Sequence, residues 1–382
     1  MRYRRTAFTL ALLLASLTSW AQAPPDDLQK PFAEANQKFA AGDFEGVLKV
    51  LEPFKSDPTL PPPILALLSG AYIELGRFKD AQSLLDPLVS KGLGGPAIFI
   101  NAARAAFALG EDDKGEIYLK RAVERSPQSR AARALGLRYG RQGRVQDAYD
   151  LLKPWTQAHP DDLEVRLAAA FCAVELGRNS EADQLLANVP EDNAHGRLLR
   201  ARLLLKSGAP QGAITMLAPM EAAPPKEIER DLRWVLGEAR LQVGQAAAAV
   251  AVLEGHTGED PVLVLLLAQA YQQSGAPEKV LATLKPIIDK LPDPSSVEAE
   301  KRSLPAALAL EYGRALVTSG RFPEAVTVLE KATSLDPANA PAWQSYGQAL
   351  AGAGRREEAQ RALAKFQEVS QSAPKKDLAT PP

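Results

Sequence analysis

A glycine closing a helical, Ala/Leu-rich stretch returns along this chain at Gly42, Gly76, Gly110, Gly143, Gly177, Gly208, Gly244, Gly275, Gly320 and Gly354. The intervals are 34, 34, 33, 34, 31, 36, 31, 45 and 34 residues. No other feature constrains the fold as much. A fixed period of a few tens of residues marks a stack of like units, none of which can bury its apolar face alone. A period near 34 has room for two helices and their turns, and a left-handed glycine is the natural close of the first.

The columns around the glycine show how the two helices would meet. Seven before it stands a small residue: Ala35, Ser69, Ala103, Gly136, Ala170, Ala201, Gly237, Ala268, Gly313 and Gly347. Five after it stands another small or β-branched one: Val47, Ala81, Gly115, Ala148, Ala182, Ala213, Ala249, Val280, Ala325 and Ala359. These positions predict two backbones in close approach. Nine after the glycine the residue is leucine in every unit, from Leu51 to Leu363, which predicts an unbroken core between repeats. Seventeen after it, Pro127, Pro160, Pro225, Pro261, Pro292 and Pro337 are expected to end the second helix.

This arrangement resembles the tetratricopeptide repeat over roughly residues 29 to 371. The match is fullest in Leu135-Gly136, Tyr139, Gly143, Ala148, Leu152 and Pro160, then in Tyr312-Gly313, Gly320, Ala325, Leu329, Ala332 and Pro337, and in Trp343, Tyr346-Gly347, Gly354 and Ala359. The resemblance implies an all-α fold, a right-handed superhelical solenoid of about ten helix-turn-helix repeats. Repeats one to eight would occupy 29–292 and repeats nine and ten 304–371. An insertion at 293–303 would stand between them, either a loop with an extended first helix or a hinge that meets a partner. Residues 372–382, rich in Pro and Lys, are expected to form a disordered tail.

The N-terminus carries an address. Arg2, Arg4 and Arg5 precede an apolar run from Thr6 to Trp20, the pattern of a secretory signal peptide over 1–21, with a cut before Gln22 and a linker over 22–28. That run is short for a bilayer, and no other is long enough, so the mature chain is expected to hold no transmembrane segment. Export to the periplasm, or beyond, follows as an expectation. The formal net charge is −1, which gives no overall field for nucleic acid. Cys172 stands alone in an apolar stretch and reads as a small buried hydrophobe. His159, His195 and His256 lie far apart, so neither a metal site nor a cofactor is expected.

A solenoid curves and so offers an extended concave surface. In the family this chain resembles, first helices line it at thirteen, ten, six and three residues before the glycine. Those offsets select Ile100, Arg104 and Phe107; Arg130, Arg133 and Leu137; Glu164, Leu167, Phe171 and Val174; Leu198, Arg202 and Leu205; and Asp231, Trp234 and Glu238. Between Pro96 and Val145 ten Lys or Arg face five Asp or Glu. Arg104, Arg130 and Arg133 beside Phe107 and Phe171 would suit an acidic peptide or a chain terminus, guanidinium forks matching carboxylates. The same arginines could instead solvate a helix face or pair with Glu164 and its neighbours. Trp234 would anchor a partner in this register and pack in the core if the register slips by one. Trp155 and Trp343 fall on packing positions. The Lys and Asn clamp by which some relatives hold chaperone C-termini is missing: Phe32 stands where Lys is wanted and Leu67 where Asn is wanted, although Asn36 fits.

No H-E-x-x-H, G-x-S-x-G or G-K-[ST] phosphate loop occurs, and the repeats use up the chain. The expectation is a non-enzymatic scaffold or adaptor for other proteins of a bacterial envelope. The alternative is a carbohydrate- or peptidoglycan-binding accessory, which would call for aromatic platforms in the groove.

Overall fold

The computed structural model describes residues 26–57 and 60–372, and among them all regular structure is helical. The signal segment at 1–21 and the tail beyond 372 lie outside the described residues. Contacts divide the chain into two units, 1–188 and 189–382. The N-terminal unit holds five hairpins: α1 (Asp26–Ala40) with α2 (Phe44–Leu51), α3 (Pro62–Glu74) with α4 (Phe78–Val89), α5 (Pro96–Ala108) with α6 (Asp112–Arg125), α7 (Arg130–Arg141) with α8 (Val145–Ala158), and α9 (Leu163–Glu175) with α10 (Asn179–Ala187). The C-terminal unit holds five more: α11 (Ala194–Lys206) with α12 (Pro210–Glu221), α13 (Glu229–Gln242) with α14 (Ala246–Leu253), α15 (Pro261–Gln273) with α16 (Pro277–Ile288), α17 (Ser303–Thr318) with α18 (Phe322–Leu335), and α19 (Ala340–Gly352) with α20 (Arg356–Ser372).

The recurring glycine closes every first helix in the same way. All ten have φ between 69° and 79°. The next residue then donates its N–H to the carbonyl five positions back at 2.8–2.9 Å, as Arg77 does to Tyr72 and Arg355 to Leu350. An L side chain at such a φ would be strained, which is why the column never varies. Four first helices are opened by a side-chain cap at a matching position: Asp162, Asn193, Asp260 and Asn339 each accept a backbone N–H of the first turn.

Inside each hairpin the two small columns are buried in all ten repeats. They do more than let backbones approach. A methyl added to Gly136 would lie 2.6 Å from Leu152, and one on Gly313 would lie 2.4 Å from Leu329. The residue seven before the glycine therefore makes the socket for the leucine nine after it. Nine of these leucines are buried, but Leu363 is 38% exposed, so the expected core column stops one repeat short. No later hairpin stands against α20 among the described residues.

Three other boundaries differ from the sequence reading. Helix α1 begins at Asp26, inside the stretch expected as linker, and α20 runs on through Ser372. Pro261 does not end a second helix but opens α15, where its missing N–H costs nothing. The long interval before Gly320 contains two single-turn 3-10 helices, Pro294–Ser296 and Ala299–Lys301, followed by α17, at 16 residues longer than the other first helices.

Within each unit the α-helices in close contact are one or two α-helices apart along the chain. First helices touch the next first helix (α3 with α5, α7 with α9, α13 with α15, α17 with α19), while neighbouring second helices are held further apart. The first helices therefore form the inner face of each unit. Tyrosines stitch the joints between repeats: Tyr72 donates to Glu52 at 2.8 Å, Tyr139 to Glu116 at 3.2 Å and Tyr271 to Glu254 at 2.7 Å.

Candidate functional site

On the inner face of the N-terminal unit, α5, α7 and α9 carry most of the residues selected from the sequence. Ile100, Leu137, Leu167 and Phe171 are half-buried there. Two of the three arginines are already engaged. Arg104 pairs with Glu74 of α3 at 2.7 Å. Arg133 reaches Asp162 at 2.7 Å and Glu164 at 2.5 Å, both at the start of α9. Burial alone would raise the carboxyl of Asp162, but Arg133, the Trp155 indole N–H and the Val165 amide outweigh it and hold that carboxyl below its usual range. The third arginine, Arg130, is exposed and has no carboxylate among the described residues.

Phe107 does not stand open. A methyl on Gly115 of α6 would lie 2.4 Å from its ring, and the Arg138 guanidinium covers it at 4.5 Å from the centroid. Val174, Leu198 and Leu205 are buried, which corrects their assignment to the groove surface.

In the C-terminal unit Trp234 is half-buried against the core, and the guanidinium of Arg202 lies 5.3 Å from its ring centroid. The ring is thus shared between packing and a cation–π contact. Asp231 and Glu238, also on α13, are half-buried. Trp155 is buried and donates to Asp162 at 3.0 Å; Trp343 donates to the Pro337 carbonyl at 2.9 Å. Both are packing residues.

A polar network that the offsets missed runs across α15, α17 and α19. Glu311 is only 5% exposed, yet it sits in an Ala/Leu helix. Arg314 donates to it at 3.3 Å and to Ser345 at 3.4 Å, and Gln269 of α15 reaches it as well. Burial raises its carboxyl above the usual range despite Arg314 and Gln269. A raised folded value means stability that is full below the unfolded value and is lost as pH rises through the folded one. Glu311→Gln keeps the shape and removes that loss. The thermal midpoint of the variant is expected to pull ahead of the parent as pH rises from 4 to 8; a gap that closes instead would show that Arg314 more than offsets the burial. The sequence signal was available: nine before the glycine, Asn101, Glu311 and Ser345 are polar in a column otherwise mostly Ala, Leu and Val.

Among the described residues no group of three His, Cys, Asp or Glu is placed to hold a metal. Cys172 is buried, and burial pushes its thiol up to about 11, so it is a poor nucleophile. No helix among the described residues is long and apolar enough to cross a membrane.

Two family models described as tetratricopeptide repeat match the chain, one over 141–203 and 306–374 and the other over 69–130. These segments are tetratricopeptide repeats. They span α3 to α6, α8 to α11 and α17 to α20 in whole or part, and the glycine, small and leucine columns of those repeats continue through the intervening hairpins. No curated protein matches the sequence. Among solved structures, a chain of Naa15/Naa10 bound to HypK-THB is 13% identical with a TM-score of 0.41; the match covers 90% of this chain and only 64% of that one. A tetratricopeptide repeat protein from Parabacteroides merdae is 16% identical, with a TM-score of 0.38, 64% of this chain covered and 99% of that one. A human IFIT1 dimer with PPP-AAAA is 13% identical, with a TM-score of 0.43, 92% of this chain covered and 96% of that one.

Proposed function

We propose that this chain is a non-enzymatic scaffold or adaptor, exported to a bacterial cell envelope, that holds segments of partner proteins on the inner faces of its tetratricopeptide repeats. One observation carries the reading. The half-buried apolar row Ile100, Leu137, Leu167 and Phe171 lies on the inner face of the N-terminal unit, with arginines on the same helices. Such a row offers burial to an incoming side chain, while the charged residues around it keep the surface soluble and orient the partner. The basic start and apolar run before Gln22 support export. A glycan-binding accessory would need open aromatic faces, whereas Phe107 lies under Arg138 and Trp234 carries Arg202.

Site-specific photo-crosslinking tests the reading. A photoreactive phenylalanine analogue at Leu137 samples the inner face, and one at Ile117, 49% exposed on α6, samples a second helix. In envelope extract, a defined protein band is expected from Leu137 and not from Ile117. Equal labelling from both positions, or none from either, would sink the proposal.

A further inference from the structure

We infer that the partner segment held by the N-terminal unit is extended and carries an aspartate or glutamate side chain that pairs with Arg130. This rests on the inner-face reading above and narrows it. Five arginines lie on α5 and α7, and three are neutralised from within. Arg104 has Glu74, Arg133 has Asp162 and Glu164, and Arg138 has Asp112 at 3.2 Å. Arg130 and Arg141 have no acid among the described residues, and of these Arg130 is the one at the N-terminal end of α7. It opens α7, a helix with no acidic residue in its first turn, so the dipole that would welcome an anion there meets two arginines instead. The hydroxyl of the adjacent Ser129 is buried without a hydrogen-bond partner. Partial burial and the nearby charge of Arg133 both push the Arg130 guanidinium down, so its charge is under-compensated in the free protein.

The chemistry of the surroundings selects the anion. Asp162 and Glu164 pair with Arg133 at the start of α9, so a polyphosphate backbone laid across α7 and α9 would meet two carboxylates. A single carboxylate can reach Arg130 without doing so and form a charge-assisted, forked hydrogen bond. Ile100, Leu137 and Leu167 then take apolar side chains of the same segment. A segment that runs along this row brings a side chain, rather than its own terminus, to a guanidinium at the end of a helix.

A library of random 12-residue peptides displayed on phage as internal segments, selected on the mature chain, tests this. Enriched peptides are expected to share an Asp or Glu beside apolar residues. Their affinity, read by fluorescence polarisation, is expected to fall at least about tenfold with Arg130→Ala. It should fall further with Arg130→Glu, which in turn should gain affinity for the same peptide carrying Lys in place of the acid. The double variant Arg77→Ala/Asp80→Ala removes an internally matched pair at the start of α4, a second helix, and is expected to leave affinity within about twofold. Circular dichroism and the thermal midpoint of each variant check folding. Enriched peptides that lack an acid, or that ignore Arg130, overturn this inference and leave inner-face binding standing. If no peptide is enriched at all, both fall.

Discussion

Leu329→Ala is expected to cost about 2–5 kcal/mol, seen as a fall in the urea midpoint of the C-terminal unit, whereas Leu363→Ala one repeat later is expected to cost only about 0.5 kcal/mol. Leu329 is fully buried in the socket above Gly313, and the side chain cannot be removed without leaving a hole. Leu363 occupies the same place over Gly347 but is open on its outer side. The glycines should split the same way. Gly313→Ala places a methyl 2.4 Å from a walled-in leucine and is expected to cost about 1–3 kcal/mol by overpacking. Gly347→Ala meets a leucine that can swing outward, so the better helix propensity of alanine, about 1 kcal/mol, should make it neutral or stabilising. Combining Gly313→Ala with Leu329→Ala should cost clearly less than the two separate losses together, because the new methyl occupies the space the leucine gave up. Additive losses would disprove the socket.

Asp162→Ala is the second large effect. That carboxylate accepts from Arg133 at 2.7 Å, from the Trp155 indole at 3.0 Å and from the Val165 amide at 3.3 Å, so one side chain ties α7, α8 and the start of α9 together. Losing a helix cap and a charge-assisted bond together is expected to cost about 2–4 kcal/mol at neutral pH. The loss should depend on pH. The folded carboxyl lies below its usual range, so its contribution is present above the unfolded value near 3.9 and fades as pH falls through the folded one. Parent and variant midpoints are therefore expected to converge toward pH 2. A difference that stays constant down to that pH would mean that the geometry of the joint matters and the charge does not.

The repeat was legible because its rules are local. A left-handed glycine, a small residue seven before it and a leucine nine after it all lie within one hairpin, and each is demanded by the shape of the other two. The inner face was only partly legible because its chemistry is settled between hairpins. Pairing with Glu164 and its neighbours is one of the readings the sequence leaves open for these arginines and holds for Arg133, but nothing near Arg104 in sequence announces that Glu74, some thirty residues away, will neutralise it. Nor does the offset alone tell Leu198, which is buried, from Ile100 and Leu167 at the same offset, which are half-buried. Phe107 was misplaced for a third reason: Gly115, read only as a point of close approach, also makes room for a ring. Glu311 escaped because a charged residue in a first helix suggests the open surface, and only its column, shared with Asn101 and Ser345, points inward.

Close contacts between α-helices within each unit reach no further than two α-helices along the chain. Mechanically, each unit is a row of small latches and not a single lock. Stretched along its length, such a row yields by releasing one latch while its neighbours stay shut, and the released hairpin can re-form against the neighbours that still hold their shape. Extra chain such as that at 289–302 can be spliced in at a joint because no strut has to bridge it.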